Sequence, residues 1–190
     1  MSRVFYKDLV LDVDGKNVYE PREDSFLAAD NLNAKAGEKI LEIGTGCGLL
    51  AILAATKGAE VVATDINELA VECAQKNAGE NKLKIDFRVG DLFSPIKNNE
   101  KFDLIIFNPP YLPSEKDFVD RQIDLSYNSS ETLRKFLASY KRFLKKNGRA
   151  VVVNSSISGI SASGRELASQ KLAFEKISLI ELKNPGKETD

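Results

Sequence analysis

The sequence predicts an α/β fold built on an open, mostly parallel sheet with helices on both faces. Three observations carry this expectation. From Lys39 onward, short apolar runs of strand length alternate with helix-like segments, the order that strand–helix–strand units require. The first run ends in a glycine-rich turn, Gly44 to Gly48, where a chain leaving a parallel strand enters a helix. The run Phe102 to Phe107 ends in Asn108-Pro109-Pro110-Tyr111, and two consecutive prolines must turn the backbone out of the sheet at its carboxyl end.

Taken in order, residues 3 to 13 alternate through Val4, Tyr6, Leu9, Leu11 and Val13 and reach the turn signal Asp14-Gly15. A hairpin or extended arm is expected there. Pro21 suits a first helical position, with Glu23 and Asp24 in the first turn and an end near Asn33. Strands are expected at 39–43, 60–64, 84–89, 102–107, 149–154 and 174–182. Helices are expected at 49–57 with Gly58 as cap, at 67–78 capped by Asn67, at 132–146 and at 164–173. Residues 112–130 show no periodicity, and a loop of that length is expected to be functional, as a substrate-side wall or lid. The whole reads as one domain, 1–190. Within it, 1–36 form an arm and helix, 37–182 the core, and 183–190 a loose polar tail.

Composition excludes several functions. With 43% hydrophobic and 29% charged residues the chain is an ordinary globular protein. No apolar run approaches the roughly 20 residues of a membrane span, and the start lacks a signal-peptide pattern, so a cytoplasmic protein is expected. There is no histidine, and Cys47 and Cys73 are the only cysteines. Ser-His and Cys-His catalysis are thereby removed, and soft ligands are too few for a zinc site. With 27 basic against 28 acidic side chains, nothing suggests the basic field of a non-specific nucleic-acid binder. Arg134, Lys135, Lys141, Arg142, Lys145 and Lys146 would make one helix basic, either as a solvated face or as a docking surface for an acidic partner.

The residues that carry chemistry sit at strand ends. Glu42-Ile43-Gly44-Thr45-Gly46-Cys47-Gly48 has G-x-G-x-G spacing, not the G-x-G-x-x-G of nicotinamide and flavin enzymes. Glu42 would repel a pyrophosphate and suits an amino group or a sulfonium. Asp65, at the end of the second core strand, can accept both hydroxyls of a ribose. Asp91, followed by Leu92, can accept from the exocyclic amine of an adenine. Each aspartate alone also reads as a cap or turn residue; their shared rim favours the joint reading.

On these residues the sequence resembles the class I S-adenosylmethionine-dependent methyltransferases, whose fold is Rossmann-like. Glu42 to Gly48, Asp65 and Asp91 match their three cofactor motifs in order and spacing. Asn108 to Tyr111 matches the signature of members that methylate planar amino groups. Val18-Tyr19-Glu20-Pro21-Arg22-Glu23-Asp24-Ser25-Phe26 resembles the stretch preceding the cofactor fold in glutamine methyltransferases of the HemK/PrmC type, especially their short archaeal and eukaryotic branch. The resemblance implies S-adenosylmethionine as cofactor, S-adenosylhomocysteine as product, and cofactor contacts from Ser25, Glu42, Gly44, Gly46, Gly48, Asp65, Asp91, Leu92 and Asn108. It implies as substrate the Gly-Gly-Gln loop of a class I translation release factor, and as partner a small zinc-binding activator protein that pairs with an edge strand. Ser25 alternatively reads as a helix-start serine. Two departures stand out: the usual Gly-Gly pair after the signature is absent, and the sequence stops where relatives continue into a last strand, so that either the protein lacks that strand or the sequence is cut short; an exposed edge would invite pairing.

The chemistry suits the signature. An amide nitrogen is a weak nucleophile because its lone pair is delocalised. If Asn108 Oδ1 and the Pro109 carbonyl each accept one hydrogen of the target NH2, its orientation is fixed. Tyr111 would stack on the planar group while Pro109 and Pro110 keep the corner rigid. An adenine amine of DNA or RNA is the alternative acceptor, and a non-catalytic cofactor- or partner-binding subunit is a further alternative.

Overall fold

The computed structural model describes residues 2–109 and 122–183, with backbone only for 122–129. The chain opens with an antiparallel hairpin, β1 (Ser2–Tyr6) and β2 (Leu9–Val13). Its inner residues Val4, Tyr6, Leu9, Leu11 and Val13 are buried and Phe5 is exposed, which is the alternation the sequence carries. The core follows as α1 (Glu23–Asp30), β3 (Lys39–Ile43), α2 (Leu49–Thr56), β4 (Glu60–Asp65), α3 (Glu68–Glu80), β5 (Asp86–Val89) and β6 (Phe102–Phe107). It ends with α4 (Gln122–Ser139), a 3-10 turn (Tyr140–Phe143), β7 (Leu144–Ser155), a second 3-10 turn (Ser156–Ser158), β8 (Arg165–Lys171) and β9 (Lys176–Lys183).

One seven-stranded sheet runs in the order β5-β4-β3-β6-β7-β9-β8. The first five of these strands are parallel; β9 lies antiparallel to both β7 and β8. β3 lies inside the sheet between β4 and β6 and is nearly all buried, which is why it is mostly apolar on both faces. Along β6, Leu104 and Ile106 face one core, while Ile105 and Phe107 face the other. The second core is aromatic: Phe93 stacks on Phe143 with centroids 4.5 Å apart, and Phe107 meets Phe136 at 4.7 Å.

α2 is apolar all round, because it is wedged against α1, α3 and the sheet. Gly48, its N-cap, has φ +90°, and a Cβ there would stand 3.1 Å from Ala74 Cβ on α3. The third glycine of the turn therefore lets two helices approach. Asn77 of α3 is wholly buried. Its Oδ1 accepts Asp12 N at 2.9 Å, and its Nδ2 donates to Asp12 O at 3.0 Å and Cys47 O at 2.9 Å. One amide thus ties hairpin, glycine turn and helix together.

Several expectations are corrected. Within residues 164–173, expected as a helix, Arg165–Lys171 form β8, paired with β9. The sheet therefore carries one strand more than the six expected in the core, and β5 and β8 form its edges. Residues 122–130, expected as loop, are the start of α4. That helix ends at Ser139 and not near Lys146, because Leu144 already begins β7. The six basic residues are therefore spread over α4, a 3-10 turn and β7, and two are paired: Lys135 with Glu131 at 2.9 Å and Lys145 with Asp103 at 2.7 Å. Pro21 precedes the N-cap Arg22 and does not open α1. Pro110, Tyr111, the rest of the 112–130 segment before 122, and the tail from 184 lie outside the described residues. Among the described residues no helix is long and apolar enough to cross a membrane.

Candidate active site

The carboxyl ends of β3, β4 and β6 and the start of α1 surround a cavity of about 490 Å³, of a size suited to a small ligand. Ser25, Glu42, Gly44, Gly46, Asp65, Asp91, Leu92, Asn108 and Pro109 all line it. Gly48 does not; its place is the packing of α2 on α3.

Glu42 is the penultimate residue of β3, two before Gly44, and is 3% exposed. Its Oε2 accepts Thr45 Oγ1 at 2.6 Å and Ala51 N at 3.1 Å. Burial pushes its carboxyl up to about 8, with the charge of Asp65 adding to the rise and the two hydrogen bonds opposing it. A cation in the cavity would favour the ionised form.

Asp65 closes β4. Gly46 N donates to its Oδ2 and Asn67 N to its Oδ1, both at 2.9 Å. Each oxygen keeps further lone-pair capacity toward the cavity, as a ribose diol would need. The bond to Gly46 also pins the glycine turn, whose Gly44 and Gly46 both have positive φ. Asp91 lies exposed on the far rim, its carbonyl accepting Ser94 N at 2.9 Å. Leu92 beside it has φ +47°, uncommon for a leucine and a mark of a strained turn at the rim.

Asn108 follows Phe107 and continues the β6 alternation onto the face that α1 covers. Its Nδ2 donates to Asp24 Oδ2 at 2.8 Å and lies 3.4 Å from Ser25 Oγ. Its Oδ1 is buried with no hydrogen-bond partner among the described residues, and an orphaned buried acceptor costs about 1–3 kcal/mol. Asp24 is 7% exposed and also accepts Tyr19 Oη at 3.0 Å and Ser25 Oγ at 3.3 Å. Ser25 is thus tied to Asn108, and no side chain caps α1.

Asp24 and Ile66 are among the lining residues that the sequence reading did not assign to the site. Asp24 had looked like a first-turn acid favoured by the helix dipole. Ile66, 71% exposed beside Asp65, offers an apolar wall; the available signal was a bulky apolar residue directly after a strand-end aspartate. The glycine turn, the ribose-type carboxylate, the apolar wall and the orphaned amide oxygen together fit an adenosine-bearing cofactor beside a polar acceptor.

Several known methyltransferases are similar to this chain. The sequence profile of the methyltransferase small domain family matches residues 23–173. A putative protein N5-glutamine methyltransferase of Methanocaldococcus jannaschii is 38% identical over 163 residues, covering 80% of this chain and 82% of that one. Human methyltransferase HEMK2 is 41% identical over 106 residues, half of each chain. The Thermus thermophilus 16S rRNA N2 G1207 methyltransferase RsmC, solved with AdoMet and guanosine, superposes with a TM-score of 0.62 at 22% identity, covering 86% of this chain and 44% of that one. The chain has the class I methyltransferase fold and belongs to the methyltransferase small domain family.

Proposed function

We propose that this protein is a cytoplasmic enzyme that transfers a methyl group from S-adenosylmethionine to the side-chain amide nitrogen of a glutamine, in the Gly-Gly-Gln loop of a class I release factor. The observation that carries the reading is the buried Oδ1 of Asn108, which has no hydrogen-bond partner among the described residues. Its amide NH2 is already committed to Asp24, so the free oxygen needs a hydrogen donor, and a planar NH2 supplies one. The M. jannaschii relative is named for glutamine N5, which supports the amide as acceptor.

The residues present fit the cofactor. Asp65 would hold the ribose, Ile66 and Leu92 would flank the adenine with Asp91 at its amine, and Glu42 would face the cationic end. When bound, S-adenosylmethionine supplies a methyl on a sulfonium, which departs as the thioether S-adenosylhomocysteine. Asn108 Oδ1 would accept a hydrogen bond from one N–H of the acceptor NH2 and the Pro109 carbonyl from the other, holding the nitrogen in one orientation. The nitrogen gains the methyl carbon and gives up one proton to water. Much of the rate would come from this positioning, which contributes up to about 7–11 kcal/mol in well-oriented systems. A small zinc-binding activator protein belongs to the same proposal, with β5, one of the two edge strands of the described sheet, as the strand it would pair with.

The test is transfer of labelled methyl into a panel of release factor, its Gln-substituted variant, and DNA and RNA oligonucleotides. Label is expected in release factor alone. Label in adenine of an oligonucleotide, with none in protein, would replace the acceptor.

A further inference from the structure

We infer that Asp24 is a positioning residue that acts through Asn108, setting which way the amide points and how strongly its oxygen accepts. The inference rests on the proposed methylation of a planar NH2. Asp24 lies 84 positions from Asn108 in sequence, and their side chains meet at 2.8 Å.

The ordinary use of an aspartate in the first turn of a helix is to face the free backbone N–H groups. Asp24 does something else. The bonds it accepts come from Tyr19 Oη, Ser25 Oγ and Asn108 Nδ2, and its side chain is buried at the cavity wall. Burying a carboxylate is costly unless hydrogen bonds compensate, so this one is placed for those donors.

Two consequences follow for Asn108. A flipped amide would aim Oδ1 at the carboxylate, oxygen against oxygen, so Asp24 admits one orientation, with Oδ1 toward the acceptor. Donation from Nδ2 to an anion also draws electron density onto Oδ1, because hydrogen bonds in a chain polarise one another. The strengthened oxygen pulls harder on the acceptor N–H as that nitrogen becomes electron-poor during transfer. Tyr19 Oη and Ser25 Oγ, donating to the other carboxylate oxygen, keep Asp24 in place.

The test compares Asp24→Ala, Asp24→Asn, Asn108→Ala and the double variant Asp24→Ala/Asn108→Ala. Asp24→Ala is expected to lower kcat by about 10- to 100-fold, the range of a lost charge-assisted hydrogen bond, with KM for the acceptor and Kd for the cofactor within about threefold. Asp24→Asn keeps an oxygen that can accept from Asn108 Nδ2, so it should recover part of that loss. In the Asn108→Ala background, Asp24→Ala should cost nothing more, since residues acting as one unit are not additive. Two-dimensional NMR of the ligand-free protein gives a readout free of turnover: the Asn108 side-chain NH2 signal, assigned by its loss in Asn108→Ala, should lose its protection from solvent exchange in Asp24→Ala. Unchanged kcat, an equal further loss in the double variant, or an unaltered Asn108 signal would each overturn the inference. Turnover is read on whichever acceptor the wild type methylates. A wrong acceptor therefore shows in the wild type, and a wrong role for Asp24 shows in the variants.

Discussion

Glu42 carries an acid into a place that disfavours its charge. Its carboxyl is raised from 4.5 to about 8 by burial, so between those values the unfolded chain holds it ionised while the folded chain holds it neutral. The folded state binds more protons in that window, and this group's contribution to stability falls as pH rises through it, by a few kcal/mol at most. Glu38 and Glu100 have the opposite sign: Arg149 and Arg88 hold their carboxyls low, Glu100 near 2, and their contribution is lost on acidification below the ordinary carboxylate range. Thermal denaturation between pH 5 and 8.5 should therefore show the ligand-free protein losing stability toward the basic side. Glu42→Gln, which can still accept from Thr45 and Ala51, should flatten that limb and leave the acid limb intact. An identical slope in the variant would show that Glu42 is already ionised. Glu42 was legible at this scale because its distance from Gly44 is local. Asp24 was not, because its partner stands on another strand-end far along the chain.

The clearest difference between sequence and structure among the elements is β8. Arg165-Glu166-Leu167-Ala168-Ser169-Gln170-Lys171 consists of good helix formers, and local propensity points to a helix. β9 overrides that preference: its strand interior is buried, and it needs a partner for the edge that β7 leaves open. Propensity differences of tenths of a kcal/mol per residue lose to a row of ladder bonds and side-chain contacts. Gly164, which opens this pairing, shows how close the approach is. A Cβ there would lie 2.4 Å from Glu181 O and 2.7 Å from Ile180 Cγ2. Gly164→Ala should therefore destabilise by about 1–3 kcal/mol, the usual cost of overpacking, seen as a drop of several degrees in Tm. Cofactor affinity of the folded protein should not change, because residue 164 does not line the cavity. A variant as stable as the wild type would mean that the β8–β9 edge gives way freely.

For the molecule as a whole, near-balanced charge bears on the choice of substrate. Net charge is −1, and the basic residues expected to share one helix are dispersed over three elements, Lys135 and Lys145 among them paired with carboxylates, as are Arg88 and Arg149 elsewhere. Counterion release from phosphates, which dominates nucleic-acid affinity, has little to act on. Binding to a DNA or RNA oligonucleotide should accordingly be weaker than about 10 µM at physiological salt, near the non-specific range. Titrations at two salt concentrations check this; tight, steeply salt-dependent binding would favour the adenine acceptor.

By itself the sequence determined the parallel strands, the glycine turn and the acids at their ends, because these features repeat at short spacing and each is dictated by local backbone chemistry. It also marked Asn108 through the prolines that follow it. Only the tertiary structure decided that 165–171 is a strand, that Asn77 joins the hairpin to the cofactor turn, and that Asp24 holds the Asn108 amide while leaving its oxygen bare. Each of those depends on a partner distant in sequence: local preference sets what a segment can be, and the surface offered by the rest of the chain sets what it becomes.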